Sequence, residues 1–119
     1  MRGAWKVVGT QAGPVAQPSL YVFTARHFSR METIGEKPRA KFKDDDPAKT
    51  TTPEKIAAYD TFIANTGTYE ISGNTIVFKI VLAKSPNRAD DKLQFTLSGN
   101  MLTITDPETK DITKLTRVE

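Results

Sequence analysis

The clearest pattern along the chain is alternation. In "LQFTLSGNMLTITD", Leu93, Phe95 and Leu97 are separated by Gln94 and Thr96, a period of two that lays them along one face of a strand. Gly99 and Asn100 then turn the chain into a second alternating run, Met101 to Thr105. "GTYEISGNTIVFKIVLA" has the same plan, with Gly73 and Asn74 supplying the positive backbone angles that a tight hairpin demands. After "DPETKD", whose Pro107 lacks a ladder donor, "ITKLTRV" adds another strand, so the C-terminal half predicts an antiparallel meander.

The front of the chain has the same character. "AWKVVG" predicts a strand, "GPVAQP" a proline-broken loop, and "SLYVFT" and "HFSRMETI" two further strands turning at Ala25 and Arg26. Gly35 to Thr51, with two prolines, a basic run and three successive aspartates, predicts a surface loop. A helix is expected from Pro53 to Ala64. Thr52 would cap it, Pro53 and Glu54 suit its first turn, and Ile56, Tyr59, Phe62 and Ile63 recur at helical spacing to face the sheet. Gly67 would let the chain leave it.

The expected fold is therefore all-β, a single domain over residues 1–119: an eight-stranded antiparallel up-and-down barrel with one short helix between its third and fourth strands. Eight strands suffice to close a barrel that is filled by side chains or holds one small ligand. Closure removes the exposed edges that invite aggregation. An open curved sheet capped by the helix is the competing architecture.

If the barrel closes, its first and last strands are neighbours. Trp5, the only tryptophan, and Arg117 then lie side by side although more than a hundred residues separate them, with Gly3 leaving room for a guanidinium over the indole. Gly3-Ala4-Trp5 with a late arginine resembles the lipocalin superfamily, whose members carry glycine, any residue, tryptophan in the first strand and an arginine that packs on it. "LYVFTARHFSRM", "TPEKIAAYDTFIANTGTYEISGNTIVF" and "FTLSGNMLTIT" followed by "LTRVE" are similar to the bacterial lipocalin-like domain family, over most of the chain outside Gly35 to Thr51. The resemblance implies an eight-stranded barrel, often in exported proteins, and brings no catalytic residue. Gly3, Trp5 and Arg117 are accordingly expected to close the barrel rather than to touch a ligand.

Charge and composition narrow the function classes. Seventeen Lys and Arg against fourteen Asp and Glu leave a net charge of +3, with the signs interspersed, which argues against a nucleic-acid face. The absence of cysteine removes disulfides, thiolate metal sites and cysteine nucleophiles, and the single histidine removes a His-rich metal centre. No apolar run has the roughly 20 residues of a membrane-spanning helix. The chain as given is expected to be soluble and uncleaved, and its start also suits a mature exported domain, so the compartment stays open. No phosphate-binding glycine loop or catalytic triad spacing appears, and no cofactor or metal is expected. Asp44-Asp45-Asp46 lacks the alternating ligands of a calcium loop and reads as a solvated acidic stretch.

Function is thus expected inside the barrel. Tyr21 and Phe23 share one face of the second strand, although Leu20, Val22 and Thr24 make an equally good interior. His27, Ser29 and Met31 share a face of the third, and Tyr69, Phe78, Ile80, Leu82, Phe95 and Leu97 are expected inside the later strands. These residues are the candidate cavity lining for a small apolar or amphipathic molecule, with the helix and the loop before it as a lid. Two alternatives stand beside that carrier. One is a cyclase- or isomerase-like enzyme in which His27 and Tyr69 move a proton; the other is a filled-core module for structure or protein interaction.

Overall fold

A computed structural model describes residues 1–119. The chain forms β1 (Gly3–Thr10), β2 (Gly13–Pro14), β3 (Ser19–Phe23), β4 (His27–Thr33), α1 (Thr52–Asp60), β5 (Phe62–Ser72), β6 (Thr75–Ala83), β7 (Asp91–Ser98), β8 (Met101–Thr105) and β9 (Ile112–Arg117). Each long strand pairs antiparallel with the next, and β1 pairs with β9, so eight strands close into a barrel. The two-residue β2 is additional: it doubles back on the end of β1 through Gly9↔Pro14 and Thr10↔Gly13, beyond the residues that pair with β3. The expected "GPVAQP" loop thus begins with a short pairing that Gly13, at φ +124°, makes sterically accessible.

Antiparallel winding sorts the connections to two ends. The turns at 24–26, 73–74 and 99–100 and both termini lie at one, while segments 11–18, 34–61, 84–90 and 106–111 lie at the other. Both hairpins that read "SGN" use a two-residue loop, and only the glycines, Gly73 at φ +60° and Gly99 at φ +58°, have positive φ. That is the type II′ pattern, in which the first loop residue alone must be left-handed, so Asn74 and Asn100 are not called on for it.

The seam between β1 and β9 is fastened at both ends. At the turn end Trp5 and Arg117 are direct register partners, the guanidinium carbon lies 4.3 Å from the indole centroid, and Trp5 is fully buried. The indole Nε1 donates to Met1 O at 3.0 Å and Arg117 donates to Arg2 O. Gly3 has φ +127°, and a Cβ there would strike the Glu119 carbonyl oxygen as well as the Arg117 guanidinium at 2.6 Å, so the position favours glycine. At the loop end the Gln11 amide donates to Asp111 at 3.1 Å and accepts from Ile112 N at 2.9 Å.

The helix differs from expectation at its cap, its end and its packing: Thr51, not Thr52, is the capping residue, and Thr52 is already helical. Its start is a capping box: the Thr51 hydroxyl accepts from Glu54 N, and the Glu54 carboxylate accepts from Thr51 N. Glu54 also accepts from Lys43 N at 2.9 Å; these backbone donors hold its carboxyl below the ordinary range and tie the long loop to the helix. The helix stops at Asp60, and Phe62, Ile63 and Ala64 open β5. With those apolar residues drawn into a strand, Ile56 and Tyr59 remain about half exposed and the helix buries no residue. Cations hold it instead. Arg39 donates to Ala58 O and Thr61 Oγ1 at 3.0 Å, and Lys84 donates to the carbonyls of Tyr59 and Phe62 while lying over both rings. Both satisfy carbonyls at the negative end of the helix dipole.

Gly67 does not terminate the helix; it lies inside β5. A bulge leaves Val81 of β6 unpaired between Gly67↔Ile80 and Thr66↔Leu82, and a Cβ on Gly67 would meet Val81 N at 2.9 Å and the Lys79 carbonyl still closer. No helix is long and apolar enough to cross a membrane.

Candidate functional site

The barrel interior is mostly aromatic. Phe28 and Phe78 meet edge to face at 4.6 Å, Phe23 and Tyr69 at 5.2 Å, and Phe23 lies 6.3 Å from both Tyr21 and Phe78. Such pairs each contribute about 0.5–1.5 kcal/mol beyond their buried area. Below them Trp5, Ile76, Leu102 and Leu115 are fully buried.

Of the residues expected to line a cavity, Tyr21, Phe23, Tyr69 and Phe78 are buried in this core, and Ile80 and Phe95 pack against it partly covered. The rest correct the expectation. His27, Ser29 and Met31 point outward, because β3 sets Phe23 opposite Phe28 and Tyr21 opposite Arg30, and directly paired residues share a face. The inward set of β4 is therefore Phe28, Arg30 and Glu32. Leu82 is 69% exposed since the bulge at Val81 carries it out of the inward alternation, and Leu97, 41% exposed, lies at the hairpin tip where the core has ended. His27 and Tyr69 do not meet over any interior space: His27 is exposed beside the β3–β4 turn, and the Tyr69 hydroxyl donates to Thr24 O at 2.6 Å.

What remains open in the barrel is a cavity toward the loop end, and most of its walls come from residues that alternation did not single out. Phe28, Phe78, Ile80, Leu93 and Ile104 form its apolar side, and Tyr21, Arg30, Asn65, Arg88, Asp91 and Thr113 its polar side. The space open to the centre of a water-sized sphere is about 60 Å³, partly open to solvent. One water needs roughly 10–15 Å³ on that measure, so a few waters or the head of a small ligand fit and an acyl chain does not.

The polar side is ordered by two ion pairs. Arg30 donates from Nε to Glu32 Oε2 and brings Nη2 into ion-pair contact with it, and the Tyr21 hydroxyl donates to the same oxygen at 3.2 Å. The Arg30 guanidinium also lies 5.5 Å from the Tyr21 ring centroid. Burial raises the Tyr21 phenol far above the ordinary tyrosine value. Burial also penalises the Arg30 charge, but the facing Tyr21 and Glu32 oxygens outweigh that and keep it protonated. Arg88 grips Asp91 with two parallel hydrogen bonds, a bidentate fork that fixes the start of β7.

Asn65 completes the wall. It is 6% exposed, faces the cavity from β5 directly opposite Arg30, and its side-chain amide makes no hydrogen bond to the protein. No fully buried side-chain nitrogen or oxygen in the protein lacks a hydrogen-bond partner, so the unpaired Asn65 amide is one that stays open to water or a ligand in the cavity. The sequence did carry a signal for part of this site: Arg30 and Glu32 are two apart in a strand and must share a face. No family model, curated protein or solved structure matches this chain, so the case for its function rests on the geometry of this interior.

Proposed function

We propose that the protein is a lipocalin-like binding barrel that takes one small amphipathic molecule at its loop end. The observation that carries the reading is the Asn65 amide, unpaired within the protein on a residue only 6% exposed and open to a cavity whose other side is apolar. The Trp5–Arg117 closure at the opposite end supports the lipocalin-like part of the proposal. The segment 34–61, held at the rim where Lys84 donates to the Tyr59 carbonyl and the Arg39 guanidinium lies 5.2 Å from the Phe62 ring centroid, suits a lid. A ligand of modest size is required, because the aromatic cluster fills most of the interior.

That same filling favours the second reading, a structural or protein-interaction module whose interior holds only water. Titration of ¹⁵N-labelled protein with phenol, indole, hexanol and an anilinonaphthalene dye separates the two. The expected result is saturable shifts clustered on Arg30, Asn65, Arg88 and Thr113 with one probe per chain. A folded protein whose resonances respond to no probe at millimolar concentration removes the carrier and leaves the module.

A further inference from the structure

We infer that the polar end of the ligand is an uncharged amide edge, a carbonyl beside an N–H as in a carboxamide or lactam. The inference rests on the binding reading above and specifies its chemistry.

The charges lining the cavity already cancel. Arg30 is matched by Glu32 and Arg88 by Asp91, both Asp91 oxygens accept from Arg88, and Glu32 Oε2 accepts from Arg30 Nε and the Tyr21 hydroxyl. A carboxylate or ammonium on the ligand would lose its hydration here without gaining an unpaired counter-charge, and that loss amounts to several kcal/mol for an ion. A neutral group meets no such penalty.

The unspent groups match an amide in particular. The Asn65 side chain presents a donor and an acceptor side by side, and a second amide edge meets both in two antiparallel hydrogen bonds, whichever way the Asn65 amide is turned. Arg30, the register partner of Asn65 across the ladder, has an Nη1 with no protein acceptor, which can donate to the second lone pair of the same carbonyl. An alcohol engages only one side of this arrangement, and a carboxylate has no N–H for Asn65 Oδ1. Phe28, Phe78 and Ile80 leave an apolar wall for the remainder of a small ligand.

Three probes of one skeleton test this: isovaleramide, isovalerate and isoamyl alcohol, each titrated into labelled wild-type protein. Isovaleramide should bind about tenfold more tightly than either of the others, the ratio given by one or two net hydrogen bonds. Asn65→Leu should erase the tenfold preference for the amide over the alcohol, because the amide loses two hydrogen bonds and the alcohol at most one. Isovalerate binding as well as or better than isovaleramide overturns the inference, as does equal binding of all three. If Asn65→Leu fails to fold, the wild-type ranking still decides. Silence from isovaleramide while phenol or indole binds the same cavity overturns the amide inference alone; silence from every probe overturns the binding reading and this inference with it.

Discussion

Trp5→Ala should be the most damaging single truncation in the chain. The indole is fully buried, and a tryptophan removes about 150–250 Å² from water, so its transfer is worth roughly 4–6 kcal/mol at about 25 cal/mol per Å². Part of that is recovered by Ala and by collapse around the hole, which gives an expected loss of about 3–5 kcal/mol. The Arg117 guanidinium, 4.3 Å above the ring, contributes about 0.5–2 kcal/mol of it. Because Trp5 is the only tryptophan, its fluorescence disappears with the substitution, and urea unfolding of both proteins has to be followed by circular dichroism. Arg117→Leu should cost less and leave the barrel folded. The double mutant should show coupling of about 0.5–2 kcal/mol, since each single change already removes the shared contact. A Trp5→Ala loss under about 1 kcal/mol, the scale of ordinary surface changes, would refute the burial argument, and zero coupling would refute the stacking.

Alkaline pH should destabilise the barrel through Tyr21. Its phenol pKa is raised in the folded state, so stability is constant below about pH 10, where unfolded tyrosine begins to ionise, and falls above it by roughly 1.4 kcal/mol per pH unit. Tyr69 shifts the same way, so Tyr21→Phe should reduce the slope of a urea-midpoint series above pH 10 without abolishing it; an unchanged slope means that Tyr21 is not buried as described. Gly67→Ala should cost at least about 1–3 kcal/mol by thermal unfolding, because the new methyl has backbone on both sides. Gly9→Ala, whose Cβ would meet nothing nearer than 3.5 Å, should cost about 1 kcal/mol or less; equal losses would disprove the bulge at Val81.

The barrel was legible where local chemistry and global topology agree. Gly73 and Gly99 supply the one positive φ that each hairpin needs, and Gly3, Trp5 and Arg117 pair as a closed meander requires. The site was less legible because its key strand violates the hydropathy rule. His27, Ser29 and Met31 make as plausible an interior for β4 as Phe28, Arg30 and Glu32, until pairing with Tyr21 and Phe23 fixes which side faces in. The charges of Arg30 and Glu32 are tolerable there only because they neutralise each other, a fact that exists in the fold and not along the chain. Leu82 was placed inside because no local residue type announces the bulge that carries it out. Phe62 and Ile63, being adjacent, fit one helical face together but opposite faces of a strand, and the strand claims them through its pairing with β4.

The seam between β1 and β9 also governs how the barrel is made. Its fastening contacts, Trp5 with Arg117 and Gln11 with Asp111 and Ile112, join residues about a hundred or more positions apart, so they cannot form until the ninth strand has left the ribosome. Until then β1 and the growing edge of the meander both present unpaired backbone groups. Non-local closure of this kind puts folding in the millisecond-to-second range rather than the microseconds of a helical bundle. Nascent chains stalled before residue 112 should therefore be the most aggregation-prone species on the way to this barrel, and the emergence of β9 should convert them into one without an open edge.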